Sequence, residues 1–198
     1  MITAHSILVV AATKRELATG PWRTLCCGVG PIDAGVATAM EIRRERPAAI
    51  LHVGIAGVRR ASGLAVGSMV IGTRAIYCDA GLSPAFVSNV IETPPLMIDA
   101  AARALPGAAL ETIGTSASVG GSIASVAAGV DIEAMEGFAV LFAAGRAGIP
   151  AIEVRAISNE IEESDRARWQ FDAAFKAITD ATPALVAAIQ QAVWLADA

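Results

Sequence analysis

The sequence predicts an α/β domain with a largely parallel sheet between two layers of helices, and three observations carry that prediction. Short apolar runs suited to buried strands alternate with longer segments of helical spacing, the order that builds parallel sheets covered by helices. Glycine turns follow two of those runs, at Gly28-Val29-Gly30-Pro31 and at Gly54-Ile55-Ala56-Gly57. The 198 residues are 55% hydrophobic and only 17% charged, enough for one domain with a substantial core, read as spanning 1–198.

Ser6 to Ala11 is apolar and reads as a buried strand. Thr24 to Gly28 is a second, weaker strand. Asp33 to Arg46 has helical spacing, and its closing Arg43, Arg44 and Arg46 complement the helix dipole before Pro47 stops it. Ile50 to Val53 is a strand closed by the second glycine turn, and Ser68 to Tyr77 is another. Pro94 to Ala104 reads as a helix, and Thr112 to Ser116 as a short strand after Glu111. Glu133 and Glu136 open a helix-like run, with the helix placed at Ala134 to Ala147. The strand Ala151 to Ile157 follows Pro150 and delivers Ser158 and Asn159 to its carboxyl end. Asp165 to Thr179 is a helix with Ser164 as N-cap, and Pro183 to Ala196 a last helix with proline in its first turn.

Composition excludes several functions. A net charge of −4 and a pI near 5.2 give no general attraction to nucleic acid. The longest uncharged span, Ile113 to Val130, holds four glycines and four serines and is a poor membrane span. No basic segment precedes an apolar core at the N-terminus, so no secretory signal is expected. Cys26, Cys27 and Cys78 lack metal-ligand spacing and fit free thiols in a reducing cytoplasm. His5 and His52 read as structural, the second lying inside an apolar strand. No HExxH, CxxC, Walker or GxSxG pattern occurs, and the turn at Gly28 lacks the third glycine of a dinucleotide fingerprint. No metal or cofactor is expected.

Carboxylate and amide chemistry remains. Glu16 follows the first strand, Glu136 follows Asp131-Ile132, and Asn159 ends the strand after Pro150. Ligands of open α/β sheets bind outside the carboxyl ends of strands, so these groups are placed to share a pocket. Taken alone, Glu16 equally suits a first-turn helix glutamate, Met135 a core methionine and Asn159 a turn cap.

Four fragments resemble the purine nucleoside phosphorylase and nucleosidase superfamily: CGVGPIDAG at Cys27 to Gly35, VGIAG at Val53 to Gly57, MEG at Met135 to Gly137 and VRAISN at Val154 to Asn159. The resemblance covers nearly the whole chain and implies a three-layer α/β/α fold with a central mixed, twisted sheet. EAMEG with VRAISN and the following DRARW is most similar to the futalosine hydrolase family. That resemblance implies an N-ribosyl hydrolase of the alternative menaquinone pathway, releasing hypoxanthine from futalosine. It also implies a cytoplasmic protein that forms homo-oligomers and binds a small purine nucleoside.

By the same resemblance, Glu16 activates water, Glu136 accepts the ribose hydroxyls and Met135 packs on the sugar. Gly57 and Ser158 join them in substrate binding. Asn159 is the catalytic partner at the base. Relatives acting on adenosine-type substrates carry Asp there, whereas the Asn amide donates to N7 or to a 6-oxo group. Such a donor stabilises charge on departing hypoxanthine, although a neutral amide is no conventional general acid. A phosphorylase would need to hold a phosphate dianion beside Glu16, but Arg59 and Arg60 near VGIAG keep that alternative open, with a non-catalytic nucleoside-binding protein as a third. Thr115 to Val119 stands where the base-stacking segment falls and has no aromatic, which leaves Phe138 and Trp169 as substitutes. Arg59, Arg166 and Arg168 are candidates, by charge, to read futalosine's carboxylated aromatic tail.

Overall fold

The computed structural model describes residues 2–80, 86, 88–120, 125–126 and 128–196. Strand β1, Ile7–Ala11, is wholly buried because both faces of the sheet are covered. Alternation sends Ile7, Val9 and Ala11 into one core and Leu8 and Val10 into another. β2, Arg23–Cys26, and β3, Ala49–Val58, flank β1, both parallel to it. Between them runs α1, Pro31–Arg44, entered through Gly30 at φ 94°, a left-handed angle that suits glycine.

A buried ion pair ties β2 to α1. Arg23 donates to Glu41 at 2.5 Å, their side chains 7% and 12% exposed, and to the Glu45 carbonyl at 3.0 Å. Hydrogen bonds from Arg44 first, and from Arg23, hold the Glu41 carboxyl down to about 2.

The next strands are β4, Met69–Tyr77, the short edge β5, Val90–Glu92, β6, Ala109–Thr115, β7, Ile132–Ala134, and β8, Ala151–Glu160. β3 and β4 are long enough to change partners along their length. β3 pairs with β1 through its first half and with β7 at Gly57 and Val58, while β8 lies along its other edge. β4 pairs with β8 at Met69 to Ile71 and with β5 at Arg74 to Ile76, while β6 lies along its other edge. With β6 beside β7, the strands β3, β8, β4, β6 and β7 close into a ring. Ala56, Val58, Val70, Ile113, Ile132, Ala134 and Ile157 form one cluster within it. Among the described residues five pairings are parallel and three antiparallel, so the sheet is mixed, as the resemblance implied.

Helices cover both faces. α2, Pro95–Ala104, and α4, Phe171–Ala196, pack on one side through Met97, Ile178, Leu185 and Ile189. α1 and α3, Gly137–Arg146, pack on the other through Ala34, Val140, Leu141 and Ala144.

Four expectations are corrected. Glu133 lies in β7, and the helix after it starts only at Gly137 with Glu136 as N-cap, because the Ile132–Ala134 segment is buried as a strand of the ring. The Gly54-Ile55-Ala56-Gly57 run continues β3 instead of ending it, with a bulge between Ala56 and Gly57 against β8. β8 likewise runs on to Glu160, so Ser158 and Asn159 are strand residues near its end. The two expected last helices are one, since the buried stripe Ala174, Ile178, Thr182, Leu185, Val186 continues past Pro183, which sits on the exposed side. Before it lies only a 3-10 turn, Arg166–Arg168, capped by Asp165 and not by Ser164. The span Ile113 to Val130 falls partly outside the described residues.

The Arg23–Glu41 link makes a prediction about acid. A depressed carboxyl pKa stabilises the fold above its ordinary value near 4.5, and that contribution is lost as pH falls towards about 2. Glu41→Gln is expected to lower stability at neutral pH and to flatten the loss between those limits, measured by urea unfolding across pH.

Candidate active site

The parallel strands β1, β3 and β8 point their carboxyl ends at one cavity of about 320 Å³, within the range of small-molecule sites. Beneath it lies a buried charge cluster built on β8. Arg155 is 1% exposed. Its Nε donates to Glu153 at 2.7 Å, and its Nη2 lies 2.6 Å from His52 Nε2 and 3.5 Å from Glu136 Oε2. His52 Nδ1 is 3.0 Å from the Val10 carbonyl, so the neutral ring that donates there accepts from Arg155. Burial first, and Arg155 second, push the His52 pKa well down, which keeps that ring neutral. Burial alone would lower the Arg155 pKa, but Glu153, Glu136 and Glu16 together raise it.

Two glycines make the room. Gly54 lies opposite Arg155 in the β3–β8 ladder, and a Cβ there would overlap the guanidinium and press on Glu16. A Cβ on Gly137, the first residue of α3, would overlap the Glu153 carboxylate. Among the described residues Glu153 Oε2 has no hydrogen-bond partner, and burial raises this residue's pKa despite Arg155.

The cavity collects most residues expected from the sequence: Glu16, Met135, Glu136, Ser158 and Asn159 all line it. Glu16 follows β1 in a short 3-10 turn closed on itself. Thr13 donates to its Oε2 through backbone N (2.8 Å) and Oγ1 (2.7 Å), while Oε1 has only a long contact of 3.4 Å from Ile55 N. Oε1 is therefore the oxygen with capacity left to accept. Glu136 Oε1 accepts from Gly30 N at 3.1 Å, which ties the first glycine turn to the site. Ser158 Oγ lies between the Ala56 carbonyl (3.2 Å) and Asn159 Oδ1 (2.8 Å), and Asn159 Nδ2 donates to the Glu160 carbonyl at 2.9 Å. One Asn159 N–H remains. Gly57 does not line the cavity; it stands opposite Asn159 in the ladder, where a Cβ would come 3.1 Å from Nδ2.

Other candidates are elsewhere. Arg59 donates to the Val130 carbonyl (3.1 Å) and Ser125 (2.6 Å), and Arg60 pairs with Glu160 at 2.6 Å, neither lining the cavity. Phe138 stacks between Tyr77 and Phe142, at 5.6 and 5.8 Å, away from it. Trp169 does line it, together with Phe171 and Phe175. His5 is exposed near Glu45. Burial, then Glu136, pushes the Cys27 thiol up to about 12, so it supplies no thiolate nucleophile.

Sequence reasoning missed Glu133, which lines the cavity and accepts from Ser125 Oγ at 2.9 Å, and the Glu153–Arg155 pair. The signal was present: Glu153-Val154-Arg155 puts opposite charges at alternate positions, hence on one face, of an otherwise apolar strand. Breaking a buried pair from one side is expected to cost about 3–5 kcal/mol. Arg155→Met should therefore unfold at markedly lower urea, and adding Glu153→Leu should restore part of the loss. A double variant as weak as the two single losses summed would mean the pair is uncoupled.

Among the described residues no helix is long and apolar enough to cross a membrane. The chain is 33% identical over 189 aligned residues to a futalosine hydrolase of Streptomyces coelicolor, covering 85% of this chain and 80% of that protein. In fold it is similar to the MTA/SAH nucleosidase of Streptococcus pneumoniae solved with 8-aminoadenine, at TM-score 0.81 and 19% identity, covering 92% of this chain and 99% of that one. It is also similar to the native futalosine hydrolase of Helicobacter pylori, at TM-score 0.80 and 15% identity, covering 91% and 97%. The model of the phosphorylase superfamily matches residues 12–191, and the chain belongs to that superfamily.

Proposed function

We propose that the chain is an N-ribosyl hydrolase that cleaves futalosine to hypoxanthine and dehypoxanthinyl futalosine. The observation that carries this reading is the pairing, in one cavity, of Glu16, whose Oε1 takes only the long contact from Ile55 N, and Asn159, which keeps one amide N–H beyond its bond to Glu160. The reaction needs a base for water, acceptors for the sugar hydroxyls and a donor for the departing base. The transition state is oxocarbenium-like, as in glycoside hydrolysis.

Glu16 Oε1 takes the proton of the attacking water, while Thr13 fixes the other oxygen and so the orientation of the carboxylate. Glu136 keeps lone pairs for the ribose hydroxyls, and Met135 packs against the sugar. Ser158 and the Glu160 carbonyl hold the Asn159 amide with one N–H towards the purine, and Gly57 leaves it space. That donor suits a 6-oxopurine, whose oxygen would face like charge from an ionised Asp.

Charge disfavours the phosphorylase reading. Among the described residues, Glu16, Glu133 and Glu136 line the cavity with Arg166 as the lining cation, and a phosphate dianion near Glu16 would be repelled by roughly a few kcal/mol. The likeness to the futalosine hydrolase of Streptomyces coelicolor supports futalosine as substrate; a place in menaquinone synthesis and a cytoplasmic setting are part of the same proposal.

Purified protein incubated with futalosine and with inosine, each with and without phosphate, is expected to release hypoxanthine from futalosine without phosphate. Release that needs phosphate, or that favours inosine, overturns the assignment. Glu16→Gln is expected to lower kcat by about 10²–10⁴-fold; full turnover would remove Glu16 from the role of base.

We also propose a single domain that assembles as a homo-oligomer. Ile32, Val36 and Met40 form an apolar stripe along α1 that is 79%, 56% and 68% exposed, beside Val29 at the cavity rim. Sedimentation is expected to show a dimer or larger, and Val36→Asp to shift it towards monomer.

A further inference from the structure

We infer that Glu133 reads the purine, accepting the N1–H of a 6-oxopurine on the side of the ring away from Asn159. The inference rests on the hydrolase reading for what occupies the inner cavity, and it adds a second residue that selects the base.

The sheet itself pairs the two residues. Gly57 of β3 stands opposite Asn159 of β8 on one side and opposite Glu133 of β7 on the other. Residues side by side across a ladder present their side chains to the same face, and Glu133 and Asn159 both line the cavity. Two strand spacings set them about 10 Å apart. Gly57, between them, has no side chain to fill that gap. The flanking Ile132 and Ala134 join the apolar core of the ring, so Glu133 is the polar side chain that β7 gives to the cavity. Glu136, assigned to the ribose, is tied to Gly30 and Arg155, whereas Glu133 shares its row with the residue assigned to the base.

The two side chains are held in opposite senses. Ser158 Oγ donates to Asn159 Oδ1 at 2.8 Å, which leaves the amide as a donor. Glu133 is buried and oriented from behind. Ser125 Oγ donates to its Oε2 at 2.9 Å, and Arg59 braces Ser125 through Nη2 at 2.6 Å and the Val130 carbonyl through Nε at 3.1 Å. A carboxylate has about four acceptor positions on two oxygens, so Glu133 can hold Ser125 and still accept from a ligand.

A donor therefore faces an acceptor across an empty slot. A 6-oxopurine carries the complement, since its O6 and N7 accept while its N1–H donates. A 6-aminopurine reverses two of these groups. Its amine would meet the Asn159 N–H, and its bare N1 would meet the Glu133 carboxylate, leaving both residues unpaired in a buried place. With a 6-oxopurine, the bond at N1 also polarises the ring towards O6, which strengthens the bond that Asn159 donates.

Two measurements test this on the full chain. In the first, hypoxanthine, 1-methylhypoxanthine and adenine are titrated by calorimetry. Wild type is expected to bind hypoxanthine at least about tenfold more tightly than either of the others, the worth of one charge-assisted hydrogen bond. Glu133→Gln keeps an acceptor for Ser125 and can turn an amide N–H towards a bare N1. It is expected to lower the preference for hypoxanthine over adenine by about tenfold. A purely structural role would weaken both bases alike and leave that ratio unchanged. In the second, kcat/KM for futalosine is expected to fall by about tenfold in Glu133→Gln. Equal binding of hypoxanthine and 1-methylhypoxanthine by wild type, or an unchanged hypoxanthine-to-adenine ratio in Glu133→Gln, overturns the assignment. A protein that leaves futalosine intact yet prefers hypoxanthine through Glu133 keeps the assignment and overturns the hydrolase reading. Hydrolysis of futalosine with an unchanged ratio in Glu133→Gln does the reverse.

Discussion

The Arg155 guanidinium, buried among Glu153, Glu136, Glu16 and His52, is the constraint around which the rest of the molecule is arranged. A charge taken out of water is tolerated only when its counter-charges and hydrogen bonds are complete. Those partners come from four places in the chain: the turn after β1, the strands β3 and β8, and the start of α3. Their positions must agree to within a hydrogen bond, so the register of β3 against β8 is fixed by electrostatics as well as by packing. His52 stands opposite Glu153 and Gly54 opposite Arg155, and a slip of one residue would turn both pairs to the wrong face. The same cluster supports the cavity above it, because Glu136 faces both Arg155 and the ligand space.

The strands and helices with clear periodicity could be read in the sequence because each buries its own pattern. β1, β4 and α1 come within a few residues of their expected limits. Misreadings arose where tertiary contact overrode local signals. Gly54 and Gly57 resemble a turn, yet they serve a strand that needs absent side chains beside Arg155 and Asn159. Pro183 resembles a helix start, yet a buried stripe crossing it holds one helix together. The expected site residues were legible as types at strand ends, and all but Gly57 reach the cavity wall. The aromatic wall was only half legible. Trp169 was a candidate, but nothing local says that Phe171 and Phe175, on the first turns of a long helix, face the same space as Asn159.

A division of labour emerges between the two halves of the cavity. The inner half is set by β8, which carries Ser158 and Asn159, and by the N-cap of α3, which is Glu136. The outer half is set by the segment Arg166 to Phe175, a 3-10 turn running into α4 and attached to β8 by Gln170. Rigid groups belong where charge develops in the reaction, since reorganisation there is what preorganised sites avoid. Side chains on a surface segment belong where a substituent must be accepted, since exchange of an exposed residue disturbs little else.

The closed ring of strands has a consequence for how the protein comes into being. Its closure joins β3 to β8, whose bonded partners, such as Ile55 and Arg155, are about a hundred residues apart in the chain. During synthesis the amino-terminal half emerges with β3 lacking the neighbour on one edge and His52 lacking its guanidinium. Glu16 and Asn159 come to line one cavity only once β8 is seated. Long-range pairing of this kind is slow to form and leaves an apolar edge open while it waits. The birth of the cavity is therefore a single late event: its walls meet only when the last strand is seated, and a prematurely ended chain has none of it.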